Sequence, residues 1–209
     1  GRLEREYDIS IILSVPSVID DCVKAGVGGA VIISAGGRET GKDGLALEHS
    51  ILEQARKGGI RLVGPNCLGI YSAECSLNAH FASHISTSGS MAFISQSGAI
   101  CTSVLDLAVK ERIGFRYFVS LGSMVDVEFG DMIDYLGADP EVSSIMMYVE
   151  NLSRFRNFMS AARAVSRIKP IIVLKAGRTR AGARAASSHT GAMAGEDAVY
   201  DAAFKRAGV

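Results

Sequence analysis

The chain contains 209 residues, enough for one large or two small domains with a sizeable hydrophobic core. Hydrophobic residues make up 48% of it and charged residues 21%, a composition typical of a folded globular protein and not of a disordered one. The formal net charge is zero and no apolar segment approaches the roughly 18 residues of a membrane helix, so neither nucleic-acid binding nor a membrane location is indicated.

Strands and helices alternate through the first 63 residues. Short apolar segments, many of them β-branched, predict strands over residues 9–13, 30–33 and 60–63. Apolar residues at helical spacing predict helices over 17–25 and 44–57, the second closed by two glycines. This order predicts a parallel sheet with right-handed crossovers.

The alternation lapses between about residues 71 and 90, where Ser, His, Asn and Gly dominate, and this segment is predicted to be a linker. Beyond it, strands are predicted over 91–94, 117–121, 145–149 and 171–174, and helices from 98 and over 129–137, 153–166 and 196–207. We therefore expect two consecutive doubly wound α/β domains with parallel sheets, residues 1–86 and 87–209. The missing initiating methionine and opening βα element suggest a fragment of a longer polypeptide.

The four cysteines are scattered without a CxxC pair, which argues against a zinc site and against a disulfide framework. A reducing, cytoplasmic environment is expected. Two of the cysteines fall at apolar helix positions and are predicted to lie in the core: Cys22 and Cys101. His80 and His84 would share a face only if their segment were helical, and no metal site is predicted.

An anion site is predicted where a strand gives way to a helix at Ser95-Gln96-Ser97-Gly98. Backbone N–H groups, two hydroxyls and the positive end of the helix dipole would all face an anion there. The alternative interpretation is an ordinary helix N-cap, for which serine is favoured. The two interpretations are compatible because one backbone geometry serves both.

A carboxylate ends the next strand in the same layer, at Glu150. Such a group can hold an imidazole in the tautomer that leaves its other nitrogen free to attack. The alternative is a strand-end acid that caps the following helix. Lys175 and Arg178 close the strand after that, where they could neutralise a phosphate or simply be solvated.

The histidine at position 189 lies in a segment of small residues within a strongly cationic stretch. Residues 151–195 contain no acid and nine basic residues: Arg154, Arg156, Arg163, Arg167, Lys169, Lys175, Arg178, Arg180 and Arg184. A neutral imidazole is a good nucleophile toward phosphorus, and flanking glycines permit close approach and movement. We predict that His189 handles a phosphate; the alternative is an idle, solvent-exposed loop histidine.

Three turns of the first unit follow predicted strands and should meet at one edge of the sheet. They are residues 14–17, 34–37 and 64–69. Each alone is a generic βα loop, but together they predict a cofactor groove. Cys67 lies in the third turn, where a packing role or thiol contact is favoured over a nucleophilic one.

With these residues in place, the chain resembles the NDP-forming acyl-CoA synthetase family, which includes ADP-forming acetyl-CoA synthetases and, more distantly, the α subunit of succinyl-CoA synthetase. The resemblance covers nearly all 209 residues. It rests on Gly-Pro-Asn-Cys-Leu-Gly at 64–69, Ser-Gln-Ser-Gly-Ala at 95–99, the block 119–150, and Ser-Ser-His-Thr-Gly-Ala-Met-Ala-Gly at 187–195 followed by Glu196 and Asp197.

The resemblance implies a Rossmann-like CoA-binding domain followed by a flavodoxin-like ligase domain. His189 matches the phosphorylated histidine and Glu150 the acid that orients it, while Ser95, Gln96, Ser97 and Gly98 match the phosphate-holding loop. The residues expected to contact CoA or substrate are Val15, Pro16, Ser34, Ala35, Gly36, Asn66, Cys67, Gly122 and Ser123. Ser123 stands where relatives often have Asn.

The implied reaction interconverts acyl-CoA, ADP and phosphate with a carboxylate, CoA and ATP through an acyl phosphate and a phosphohistidine. Coenzyme A and phosphate would bind this chain, whereas ADP or ATP with Mg²⁺ would bind a partner ATP-grasp domain or subunit. An oligomer is expected. The alternative function is the acyl-CoA-sensing region of a protein lysine acetyltransferase. A flavodoxin-like electron carrier is disfavoured because the chain has no Trp.

Overall fold

The computed structural model describes residues 9–12, 16–178 and 197–209. Within these residues the chain forms two sheets that follow one another in sequence. Helices cover the sheets, as expected for an α/β protein with mainly parallel strands.

The first sheet has three parallel strands in the order β1-β2-β3: β1 Ile9–Ile12, β2 Gly29–Ile32 and β3 Arg61–Val63. Helices α1 (Pro16–Ala25) and α2 (Lys42–Lys57) provide the crossovers. The inward faces of both helices pack on the sheet, with Ile19, Ile51 and Leu62 in one buried cluster. The predicted βαβαβ unit is confirmed.

The second sheet has six strands in the order β5-β4-β7-β6-β8-β9. The strands are β4 Gly69–Ser72, β5 Leu77–His80, β6 Thr87–Ser95, β7 Gly114–Ser120, β8 Ser144–Val149 and β9 Ile171–Lys175. Helices α3 (Gly98–Glu111), α4 (Phe129–Ala138), α5 (Phe155–Val165) and α6 (Asp197–Ala207) complete this half. Strands β7, β6, β8 and β9 are parallel to one another, as predicted.

The predicted linker at residues 71–90 is wrong, because this segment forms strands. β4 and β5 make an antiparallel hairpin, β4 pairs antiparallel with β7, and β6 begins at Thr87. The polar composition hid these strands. β5 lies at the sheet edge, and β4 depends on hydrogen bonds to a strand more than forty residues away, in the pairs Ile70–Val119 and Ser72–Tyr117. Such non-local pairing leaves little local signal.

Two hydrophobic layers hold the second sheet. On one face, α4, α5 and α6 pack around buried side chains such as Ile94, Phe129 and Phe158. On the other face, α3 covers an aromatic group in which the Phe93 and Phe118 rings stack with centroids 4.9 Å apart. Cys101 lies in this second layer and Cys22 in the core of the first sheet, as predicted.

A short segment after β7 joins the two sheets. Backbone N–H groups donate from Ser123 to the Pro65 carbonyl at 2.8 Å, from Val125 to that of Gly64 at 3.2 Å, and from Val127 to that of Leu62 at 3.1 Å. The Asp126 carboxylate also accepts from the Leu62 N–H at 2.9 Å. Residues 123–127 therefore lie along the open edge of β3.

Gly122 begins this junction in a conformation that only glycine adopts easily. Its φ is 56°, and a Cβ at this position would lie 2.1 Å from the Pro65 carbonyl oxygen. A side chain here would push the two sheets apart.

No helix in the described part of the chain is long and apolar enough to cross a membrane.

Replacing Gly122 with alanine should destabilise the protein by about 2 kcal/mol or more, because the change adds both a backbone clash and an unfavourable φ. Urea denaturation of Gly122→Ala measures this. Gly29→Ala is the matched control, since its Cβ would meet only the Arg61 carbonyl oxygen at 3.7 Å. Equal stability of the two variants would contradict the role given to Gly122.

Candidate active site

A cleft of about 340 Å³ lies where the carboxyl ends of strands from both sheets meet. This is the edge at which open parallel sheets bind ligands. Predicted site residues from both halves of the chain line the cleft: Asn66, Cys67, Gln96, Gly98, Gly122, Ser123 and Glu150. The structure therefore brings together side chains that the sequence placed in separate turns.

The N-terminus of α3 forms one wall of the cleft. Ser97 is the N-cap and its hydroxyl accepts a hydrogen bond from the Ile100 N–H at 3.4 Å, so the predicted capping role is confirmed. The Ser95 hydroxyl accepts from the Ser97 N–H at 3.0 Å and donates to the Ser97 carbonyl at 3.0 Å. Both hydroxyls thus hold the turn, while Gly98 and Ala99 at the cleft wall carry first-turn N–H groups that have no partner within a helix.

Gln96 fastens this helix to the end of β8. Its side-chain carbonyl oxygen accepts from the backbone N–H of Glu150 at 2.7 Å and of Asn151 at 3.0 Å. Its own backbone N–H donates to the Tyr148 carbonyl at 3.3 Å. Because the oxygen of the Gln96 amide is occupied, its NH₂ group is the part that remains for a ligand in the cleft.

Glu150 is 9% exposed and follows the last residue of β8. The Lys175 ammonium donates to the Glu150 backbone carbonyl at 2.9 Å and lies 4.6 Å from the centre of the Tyr200 ring. Burial, followed by the charge of Glu150, raises the pKa of Tyr148 above its usual range. The carboxylate is thus set in a partly desolvated environment beside the α3 N-terminus.

Asn66 and Cys67 form the wall that the first sheet contributes. Asn66 has a φ of 54°, and its N–H donates to the Ser34 carbonyl at 2.9 Å, which ties two predicted turns together. The Cys67 thiol donates to the Ile32 carbonyl at 3.2 Å. Burial raises the pKa of Cys67 to about 12, so the thiol is neutral at physiological pH and is not an activated nucleophile.

Some predicted site residues lie outside the described residues. These are His189, with its flanking segment, and Val15; for Pro16 the structure describes only the backbone, at the start of α1. Their predicted roles stay predictions.

Several cleft residues were missed from the sequence: Arg38, Glu39, Phe81, Thr102 and Asn151. Arg38 and Glu39 lie in a short 3-10 turn that follows the predicted loop at 34–37. A charged pair directly after two glycines at a strand end was the available signal. Thr102 lines the cleft because it lies about one turn along α3 from the N-cap.

No cluster of three or more His, Cys, Asp or Glu side chains suited to a metal ion occurs among residues 9–12, 16–178 and 197–209. The segment after His80 is not helical, so His80 and His84 do not share a helix face.

Comparison with known proteins identifies the second half of the chain. Residues 88–209 match the family described as succinyl-CoA ligase like flavodoxin domain. The chain is 43% identical over 208 residues to the acetate–CoA ligase [ADP-forming] II subunit alpha of Pyrococcus furiosus, covering 98% of this chain and 45% of that protein. It is 43% identical over 211 residues to the acetate–CoA ligase [ADP-forming] of Methanocaldococcus jannaschii, covering 99% of this chain and 30% of that protein.

Among solved structures, the chain is similar to dinucleotide forming acetyl-coenzyme A synthetase 1 of Ca. Korarchaeum cryptofilum in complex with phosphate and ADP. The TM-score is 0.91 with 44% identity, over 97% of this chain and 44% of that one. The fold and cleft thus define a protein built on a Rossmann-like unit and a succinyl-CoA-ligase-type flavodoxin-like domain. The chain belongs to the NDP-forming acyl-CoA synthetase family, and it spans less than half the length of these relatives.

Replacing Gln96 with leucine should destabilise the protein by about 2 kcal/mol or more, because the buried N–H of Glu150 and the partly buried N–H of Asn151 lose their acceptor. Gln96→Glu keeps an oxygen at that position and should recover at least half of the loss. Urea denaturation measures both. Gln54→Leu makes the same change on a half-buried side chain of α2 and serves as the control. A Gln96→Leu variant as stable as this control would contradict the role given to Gln96 in joining α3 to β8.

Proposed function

We propose that this chain is the CoA-binding and phosphate-transferring part of an acid–thiol ligase, an ADP-forming acyl-CoA synthetase. The reaction interconverts acyl-CoA, ADP and phosphate with a carboxylate, CoA and ATP. The observation that carries the proposal is the cleft in which the α3 N-terminus and Glu150 face Asn66 and Cys67. Family membership and the ligase names of the relatives support it.

We assign residues 1–86 to CoA binding and 87–209 to the ligase domain. The β4–β5 hairpin, although it precedes residue 87, pairs with β7 of the second sheet. The CoA-binding part therefore extends a strand pair into the ligase sheet, which fixes the two parts of the cleft relative to each other.

In the first step, a phosphate oxygen attacks the thioester carbonyl carbon. A C–O bond forms, the C–S bond breaks, and the CoA sulfur leaves as a thiolate that takes up a proton. The phosphate is held by the N–H groups of Gly98 and Ala99, where the helix dipole favours negative charge. Val15, Pro16, Ser34, Ala35, Gly36, Asn66, Cys67, Gly122 and Ser123 are the residues proposed to line the path of CoA and substrate.

In the second step, a ring nitrogen of His189 attacks the phosphorus of the acyl phosphate. An N–P bond forms and the P–O bond to the acyl group breaks, which releases the carboxylate. The Glu150 carboxylate accepts a hydrogen bond from the N–H of the other ring nitrogen and so keeps the attacking nitrogen unprotonated. The phosphoryl group then passes to ADP.

We place ADP, ATP and Mg²⁺ on a partner ATP-grasp domain or subunit, and we propose an oligomeric, cytoplasmic assembly. The related acetyl-coenzyme A synthetase was solved in complex with phosphate and ADP, which supports the use of both compounds here. The acetyltransferase alternative receives no support from the relatives described above, since all are CoA ligases or synthetases.

Incubation of the full-length protein with acetyl-CoA and labelled phosphate should place an acid-labile, alkali-stable label on His189. His189→Ala should abolish the label, and Glu150→Gln should slow labelling roughly 10²-fold because the imidazole loses its orienting acceptor. Rapid-quench labelling followed by peptide mapping measures both.

Glu141→Gln is the charge-matched control for the Glu150 variant, because Glu141 is exposed and precedes the opposite end of β8. Its labelling rate should equal that of the wild type. A Glu150→Gln rate equal to the control would show that Glu150 only supports the structure, and absence of label in the wild type would overturn the proposed function.

Gly98→Ala should raise the KM for phosphate about 10-fold without loss of stability, because the added methyl group occupies the anion position. Within the protein this Cβ would meet only Leu68 atoms at 3.9 Å. Steady-state kinetics and thermal unfolding measure the two effects. Gly28→Ala is the control, since its Cβ would meet nothing within 4 Å. An unchanged KM in Gly98→Ala would contradict the proposal that phosphate binds at the N-terminus of α3.

A further inference from the structure

The loop after β2 is folded around two carboxylates. One oxygen of Glu39 accepts from the backbone N–H groups of Gly36 at 2.6 Å and Gly37 at 3.1 Å. Glu48, which is 1% exposed, accepts from the Arg38 N–H at 3.0 Å and from its Nε at 2.7 Å. The amide donors of this glycine loop are therefore used within the protein.

This loop consequently cannot hold a phosphate as a glycine-rich turn often does. Free N–H groups in such a turn attract an anion, but here a carboxylate occupies them and would repel a second negative charge. The Nε of Arg38 is paired with Glu48, which offsets the charge of this side chain. In contrast, the α3 N-terminus on the other wall favours an anion.

The second carboxylate oxygen of Glu39, Oε2, is shielded from solvent and has no hydrogen-bond partner among the residues that the structure describes. A buried acceptor in this state is costly unless a donor reaches it. Glu39 is a wall residue of the cleft that also contains Asn66 and Cys67. A ligand that occupies the cleft can therefore supply the missing donor.

We propose that Glu39 is the acceptor for an N–H or O–H group of the pantetheine arm of CoA. The inference rests on the proposed function, in which CoA enters this cleft. The arm is uncharged and carries two amide N–H groups and a hydroxyl, which suits a carboxylate that excludes phosphate. Glu39 therefore orients CoA, with the neutral arm in the cleft and the nucleotide phosphates away from the Gly36–Gly37 turn.

The test is Glu39→Gln in the full-length protein. The glutamine carbonyl still accepts from Gly36 and Gly37, so the loop is kept, but an NH₂ group replaces the acceptor Oε2. Isothermal titration should show that the Kd for CoA and the Kd for dephospho-CoA both rise about 10-fold, because one hydrogen bond to the arm is lost. Binding of adenosine 3′,5′-bisphosphate, which lacks the arm, should not change.

Glu53→Gln removes the same charge from an exposed acid of α2 that pairs with Lys57, and it should bind all three compounds like the wild type. An unchanged Kd for CoA in Glu39→Gln would overturn the inference, as would equal weakening of CoA and the bisphosphate. These outcomes leave the proposed function standing if the wild type binds CoA. A wild type that binds no CoA would overturn the proposed function itself.

Discussion

The backbone pairing of residues 123–127 with the edge of β3 is the interaction on which the cleft depends. It sets the end of β7 against the turn at Gly64 and Pro65, and Gly122 permits this approach because it has no side chain. These bonds run between main-chain atoms, so their geometry is indifferent to most side chains nearby. One glycine therefore controls how the wall formed by Asn66 and Cys67 faces the N-terminus of α3.

The second constraint is a set of polar side chains around the cleft that hydrogen-bond to the backbone. Gln96 joins α3 to the end of β8, Ser95 and Ser97 hold the turn between them, and Glu39 closes the loop after β2. Each of these side chains accepts hydrogen bonds from backbone N–H groups that would otherwise be unpaired at a strand or helix end. Within the described residues, the groups left for a ligand at the cleft include the donor end of α3 and the Gln96 NH₂ group on one wall and the Glu39 Oε2 acceptor on the other.

The two walls of the cleft therefore favour different parts of a ligand. A helix N-terminus stabilises an anion, whereas the Glu39 carboxylate rejects one and accepts a donor. A ligand with a charged reacting group and a neutral, amide-bearing arm fits both walls at once. The neutral thiol of Cys67, held by the Ile32 carbonyl, adds a wall that does not compete as a nucleophile.

The sequence alone determined the α/β class, nearly every helix, and the parallel strands, because apolar periodicity and β-branched segments report burial locally. It also indicated two of the turns that line the cleft, at 64–69 and 95–98, since ligand-facing loops follow strand ends. Only the tertiary structure showed that the polar segment at 71–90 forms strands and that Glu39 lines the cleft. It also showed that the Gln96 side-chain oxygen accepts hydrogen bonds from the backbone at the end of β8. The pairing of β4 with β7 and the bonds from Gln96 to the end of β8 join residues distant in the chain, and no local pattern encodes such partners. Glu39 bonds to the nearby Gly36 and Gly37, but only the tertiary structure sets its loop at the cleft.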